Sequence, residues 1–363
     1  MDTCPVAPKP PPALHIPEST SAVDVRVIDT NTLVNLNPEL FWQPKVDGFT
    51  GLDAPIYCFL ISNGSQHVVF DLGVRSDWQN YAPKVVSLIK ATTVITRGSD
   101  VTSVLDTDDS GLNIHSADIQ AVIWSHNHFD HIGDVSKFPP STDLVVGPGV
   151  CAASWPGWPR RPDAIVLDSD AEGRVVREIS FEASSLKIGS FDAYDFFGDG
   201  SFYLLDAPGH AVGHLCGLAR TTAHDDEPSF VFMGADACHH PGVLRPSDYL
   251  SLPSADTLQS TLATTRSSPE QCPGALFQSH LTSPNAPFFT VAPGPLFPDH
   301  DAAMLTVRKI QELDAADNVL VLMAHDLSLR DKIPLFPETI NGWRVSGLKT
   351  KTRWLFCNDF LSA

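Results

Sequence analysis

Ala121-Val122-Ile123-Trp124-Ser125-His126-Asn127-His128-Phe129-Asp130-His131-Ile132-Gly133-Asp134 sets three histidines and a carboxylate within positions 126 to 131, directly behind a short apolar run. Val122, Ile123 and Trp124 are β-branched or aromatic, so the cluster sits where a buried strand ends. Side chains alternate across a strand, which points His126 and His128 to one side and Asn127 to the other. Two imidazoles can then converge on one ion. A helix starting near Asp130 would send Asp130 and His131 out in different directions from the strand pair, leaving room for a second ion. A lone histidine is usually a surface or hydrogen-bonded core residue. Four donors at this spacing are not, because neutral imidazole and carboxylate are ordinary ligands of Zn²⁺ and similar cations.

Outward from the cluster, the chain reads as strands with helices between groups of them. Val23 to Ile28, Tyr57 to Ile61 and Val68 to Leu72 are strand-like, with a hairpin signal at Asn63-Gly64, and Tyr81 to Ala91 is an amphipathic helix. In the second half the strand candidates are Leu144 to Val146, Ile165 to Leu167, Val175 to Ile179, Phe202 to Leu205, Leu215 to Leu218, Phe230 to Met233 and Val319 to Met323. Ala302 to Leu313 is the strongest helix there. This pattern predicts two sheets with helices outside them in one domain, residues 23–363. Residues 1–22 are proline-rich and polar and read as an extended arm that could wrap a neighbour.

The whole-chain composition narrows the function classes. Among 363 residues, 24 are basic and 43 acidic, giving a formal charge of −19, with 43% hydrophobic and 18% charged residues. That balance reads as globular and disfavours nucleic acid, since a polyanion would meet long-range repulsion. No apolar run approaches a membrane span, so no membrane partner is expected. The seven cysteines are scattered and form no CxxC pair, which fits reduced thiols in the cytoplasm, and no signal peptide is visible. The proline arm and exposed loops are where a homodimer would form.

Three later segments place donors at strand ends. In Leu205-Asp206-Ala207-Pro208-Gly209-His210-Ala211-Val212-Gly213-His214, the proline and glycines make a tight loop that can push His210 inward, while His214 opens the next strand and braces the loop. Asp236, after Phe230 to Met233, is a carboxylate able to bridge two cations. His325 follows Val319 to Met323 in the same way. His239 and His240 read as loop residues, one of which could reach a substrate.

Taken in order, His126-x-His128-x-Asp130-His131, Pro208-Gly209-His210-x-x-Gly213-His214, Asp236 and His325 resemble the metallo-β-lactamase superfamily over about residues 23 to 345. The resemblance implies an α+β fold, a four-layer αββα sandwich with metals at one edge of the two sheets. Carried over position by position, it implies one metal held by His126, His128 and His210 and a second by Asp130, His131 and His325, with Asp236 between them. Two divalent ions are implied, Zn²⁺ foremost, although the same donors accept Mn²⁺ or Fe²⁺. Asp71, in Phe70-Asp71-Leu72-Gly73, resembles the family's early aspartate and would orient ligands. Such a cation pair makes hydroxide available near neutral pH to attack a carbonyl, with Asp130 and Asp236 as candidates to carry the proton.

The ligand pattern resembles the lactonase and glyoxalase II groups more than lactamases that bind a metal through cysteine. Aromatic, proline-rich insertions near 150–165 and 240–300 read as lids forming an apolar pocket wall. The expected substrate is therefore a small, partly apolar cyclic ester or amide, such as an acyl-homoserine lactone, a plant-derived lactam or a secondary metabolite. A thioesterase is the alternative, though no basic cluster awaits a glutathione carboxylate or coenzyme A phosphate. The remaining alternative is a metal-binding protein without turnover.

Overall fold

In the computed structural model, residues 7–182, 185–223, 228–254 and 285–361 are described, with 257, 258, 262 and 283 besides. Twelve strands form two six-stranded sheets, each laid out in sequence order. The first holds β1 (Asp24–Asp29), β2 (Tyr57–Asn63), β3 (Gln66–Phe70), β4 (Ile119–Ile123), β5 (Asp143–Val146) and β6 (Val176–Glu178). Its first three strands pair antiparallel and the rest parallel. The second holds β7 (Lys187–Ile188), β8 (Phe191–Asp195), β9 (Phe202–Asp206), β10 (Leu215–Thr222), β11 (Ser229–Met233) and β12 (Val319–Leu322), antiparallel except for the parallel β11–β12 pair.

Period-two alternation decides which side chains meet between the sheets. Val25, Val27, Phe59, Ile61, Val68, Phe70, Ala121, Ile123 and Val145 face Phe202, Leu204, Leu215, Ala219, Val231, Met233 and Leu320 in one buried layer. The outer faces are covered by helices. In α1 (Pro83–Thr92), Val85 and Ile89 pack into the second buried cluster, as do Ala303, Val307, Ile310 and Leu313 of α3 (His300–Ala315). Between them in the chain, the one-turn helix α2 (Phe129–Ile132) starts within the histidine cluster. The result is the expected αββα sandwich.

Most expected elements are present, with shifts of a residue or two at their ends, and the strand expected over Leu215 to Leu218 runs on to Thr222. Asn63 pairs with Gln66 across the anticipated hairpin, where Gly64 has φ of 58°. Ile165 to Leu167 is an exception: it forms no strand and contributes only an isolated bridge from Leu167 to Trp158, because Asp168, Asp170 and Arg160 tie the segment into a hydrogen-bonded loop. The described part of the arm, 7–22, lies along its own chain. Lys9 pairs with Asp248, Leu14 is buried against the core and its carbonyl accepts from Gly189, and the Pro17 carbonyl accepts from Arg220. Among the described residues the cysteines are free, and no helix is long and apolar enough to cross a membrane.

Candidate metal centre

Five strand ends deliver the site to one edge of the sandwich: β3 leads to Asp71, β4 to His126–His131, β9 to His210, β11 to Asp236 and β12 to His325. Backbone bonds lock these ends together. Asp71 N–H donates to the Ile123 carbonyl, Leu215 N–H to Ser125, Ala324 N–H to Ala235, and Tyr57 N–H to Ala324. Two glycines permit close approaches that a side chain would block. A Cβ on Gly147 would lie 1.9 Å from the Gly213 carbonyl oxygen, and one on Gly209 (φ 129°) would lie 2.2 Å from Ala303 N at the start of α3. Each contact fixes the loop carrying His210.

All seven sequence-derived candidates meet there, in two groups that share Asp236: His126, His128, His210 and Asp236, and Asp130, His131, Asp236 and His325. In the first, His210 Nε2 lies 3.2 Å from His126 Nε2 and 2.9 Å from His128 Nδ1, with Asp236 Oδ2 at 3.4 and 3.7 Å from the His210 and His126 nitrogens. In the second, Asp236 Oδ1 lies 3.0 Å from His131 Nε2 and 3.1 Å from His325 Nε2, and Asp130 Oδ2 is 3.4 Å from His325. Tetrahedral ligands about 2.0–2.1 Å from a zinc ion are themselves about 3.3 Å apart. The spacing of both groups matches that figure.

Hydrogen bonding agrees with it. His131 Nε2, His325 Nε2 and Asp236 Oδ1 are buried, crowd together, and have no hydrogen-bond partner. Three such orphans in one place are costly unless a cation accepts their lone pairs. Their opposite edges are committed: His131 Nδ1 donates to Asp71 Oδ2 at 2.7 Å and His325 Nδ1 to the Pro55 carbonyl at 2.9 Å. Those bonds leave both Nε2 atoms as acceptors facing Asp236. Asp71 also accepts Ser125 N–H at 2.7 Å and sits at φ 62°, a conformation tolerated by Asp but uncommon. Ser125 Oγ meets His126 Nδ1 at 2.9 Å.

The electrostatics suit positive charge. Burial opposes the Asp236 anion, yet His131, His239 and His325 outweigh it and hold the carboxyl well below its usual range. Burial likewise opposes charge on His131 and His325, but the carboxylates reverse this: Asp236, Asp71 and Asp130 raise His131 well above the ordinary range, and Asp236 and Asp130 push His325 up to about 10. A divalent cation would satisfy the same negative field with the rings neutral. On the other side, burial and then neighbouring rings push His126 and His210 well below the usual histidine value, which keeps their lone pairs available.

Other expectations fall differently. His214 turns its ring to Asp236: Nε2 accepts the Asp236 backbone N–H at 3.2 Å, and burial lowers its pKa to about 3, so it braces the backbone of Asp236 as a neutral ring. His239 is a site neighbour, with Nε2 3.0 Å from Asp236 Oδ2. Its spacing three residues after Asp236 was the available signal, since a tight turn returns such a side chain to the same side. His240 instead pairs with Asp359 inside a cage of Trp42, Phe49, Phe289 and Phe356. Of the two lid segments, Trp155 stacks on Trp124 and donates to the Leu167 carbonyl, anchoring its loop to the first sheet. In the other, Phe297 packs 5.0 Å from His210 and forms a wall of the centre; residues 255–256, 259–261, 263–282 and 284 of that expected lid lie outside the described residues.

Residues 52–220 match the family model described as the metallo-beta-lactamase superfamily. The metallo-hydrolase mfmC of Annulohypoxylon moriforme is 75% identical over 363 residues, which span all of this chain and 94% of that protein. The chain belongs to the metallo-beta-lactamase superfamily. A second relative, the gamma-lactamase FDB1 of Fusarium pseudograminearum, is 45% identical over 96% of the chain and 85% of its own length. Among solved structures, an N-acyl homoserine lactone hydrolase with its product bound at the catalytic metal centre superposes with a TM-score of 0.56 at 16% identity, covering 88% of this chain and all of that one. That likeness places the same fold here. As the superfamily and these relatives show, the chain is a hydrolytic enzyme.

Proposed function

We propose that the chain opens a cyclic amide or cyclic ester of a small, partly apolar molecule, using two divalent ions held by His126, His128 and His210 on one side and Asp130, His131 and His325 on the other. Asp236 joins the two. The observation that carries this reading is the split of the Asp236 carboxylate, Oδ2 toward His126 and His210 and Oδ1 toward His131 and His325. Bound there, a pair of cations such as Zn²⁺ acidifies water and polarises a carbonyl. Asp71, Pro55 and Ser125 fix the rings so that their lone pairs converge. Of the two carboxylates, Asp130 is the better placed to carry a proton besides its part in the second group: its side chain is 11% exposed, against 3% for Asp236, which lies within both groups. Phe41 and Phe297, packed on His239 and His210, exclude water behind the centre and supply an apolar wall to the substrate.

The lactam is placed ahead of the lactone because the gamma-lactamase FDB1 is similar over nearly the whole chain, whereas the lactone hydrolase is similar in fold. Zinc-loaded protein should open γ-lactams, and His128→Ala should lose both metal at the first group and turnover. Full activity in His128→Ala would mean that the centre is misassigned.

A further inference from the structure

His239 lies outside both donor groups, yet its ring is wholly enclosed, 3% exposed, by Phe41 at 4.2 Å, Phe297 at 5.6 Å, His210 at 5.0 Å and the nearly parallel ring of His325 at 5.4 Å. Within that enclosure its Nε2 meets Asp236 Oδ2 at 3.0 Å, and its Nδ1 has no partner. A carboxylate can only accept, so the proton of this bond belongs to Nε2. The ring thus makes one polar contact, and that contact is with the carboxylate common to both groups. Oδ2 is also the oxygen that faces His126 and His210, whereas Oδ1 faces His131 and His325. Free to rotate about its terminal torsion, a carboxylate would turn both oxygens toward one group. A donor on Oδ2 opposes that rotation, while the His214 bond holds the Asp236 backbone from which the carboxylate extends.

We propose that His239 is a positioning residue whose Nε2–H holds Asp236 in the orientation that spans both donor groups. Resting on the two-cation reading above, this makes the histidine at 239 a condition for taking up the second ion. Replacing a group that orients a ligand in this way usually costs about 10–100-fold in metal affinity.

The test is Zn²⁺ uptake by the metal-free full chain, measured by competition with a chromophoric chelator, for His239→Gln, His239→Asn and His239→Phe. Gln carries an amide N–H at about the position of Nε2, Asn falls short of it, and Phe fills the space without a donor. The expected result is a 10–100-fold weaker second equivalent in the Asn and Phe variants, with most of the affinity restored in Gln. Wild-type affinity in all three would overturn the proposal, and so would an equal loss in all three, which would assign the effect to the ring. If the Phe variant does not fold, the Gln and Asn pair decides. Because the readout is metal uptake, a wild-type chain that binds two zinc ions but hydrolyses nothing would defeat the proposed function and leave this result standing.

Discussion

Asp71→Asn removes one charge and almost no volume from a residue 1% exposed. Its two oxygens have separate duties, Oδ1 accepting Ser125 N–H and Oδ2 accepting His131 Nδ1–H, both at 2.7 Å. Asparagine accepts positive φ, so the backbone at 62° is not the issue. Its amide can keep the Ser125 bond only by turning NH₂ toward His131. Two donors would then face each other, or His131 would shift its proton to Nε2 and lose the lone pair aimed at Asp236. The first outcome costs about 1–3 kcal/mol in a buried site. The second weakens the Asp130, His131 and His325 group by about 10–100-fold, or about 1.4–2.8 kcal/mol. Zinc titration against a chelator would show one equivalent near wild-type affinity, held by the undisturbed His126, His128 and His210, and one weakened. Two tight equivalents in Asp71→Asn would refute the role of Asp71.

Gly147→Ala should displace the loop carrying His210, because the new Cβ cannot sit 1.9 Å from the Gly213 carbonyl; a lowered melting temperature together with weaker zinc binding would show it, and unchanged values of both would not fit. Removing the cations with a chelator should lower the melting temperature, since a ligand present at 100 times its Kd adds about 2.7 kcal/mol to stability; a scan that does not move would argue against resident ions. Asp170 supplies a pH dependence away from the centre: burial, then Asp134, pushes its carboxyl up to about 7 against the opposing Leu167 N–H. The folded chain therefore holds a proton between about pH 4 and 7 that the unfolded chain has lost. Stability at this site falls as pH rises through that window, by up to about 1.4 kcal/mol per unit, and levels off above it. Asp170→Asn should flatten that slope in melting curves from pH 5 to 8, and an unchanged slope would exclude Asp170 as its source.

The metal centre was legible in sequence because its donors lie in short motifs at strand ends, where alternation and tight turns decide direction. His126, His128 and His131 could be placed relative to one another from local geometry. Groups that act through tertiary contact were harder to read. The Pro55 carbonyl reaches His325 across 270 positions, and a carbonyl leaves no compositional trace. His239 carried a spacing signal, but its neighbour His240 had the same local surroundings and was drawn into an aromatic cage by Asp359, far along the chain. The strand at Phe191–Asp195 escaped because its polar positions, the half-buried Asp192 and Asp195, fall on opposite faces and interrupt the apolar pattern. Ile165 to Leu167 had the opposite fault: an apolar triplet reads as a strand, but the Leu167 N–H is taken by the Asp170 carboxylate and the Leu167 carbonyl by the Trp155 indole.

Metal counting coupled to catalysis tests whether two ions at this centre open the ring. Protein loaded stepwise with zinc would be assayed on a γ-lactam, a γ-lactone and an acyl thioester, with metal content measured at each step. Ring opening should rise with the second equivalent of zinc and vanish in His128→Ala. A chain that holds two zinc ions and opens neither ring would contradict this expectation.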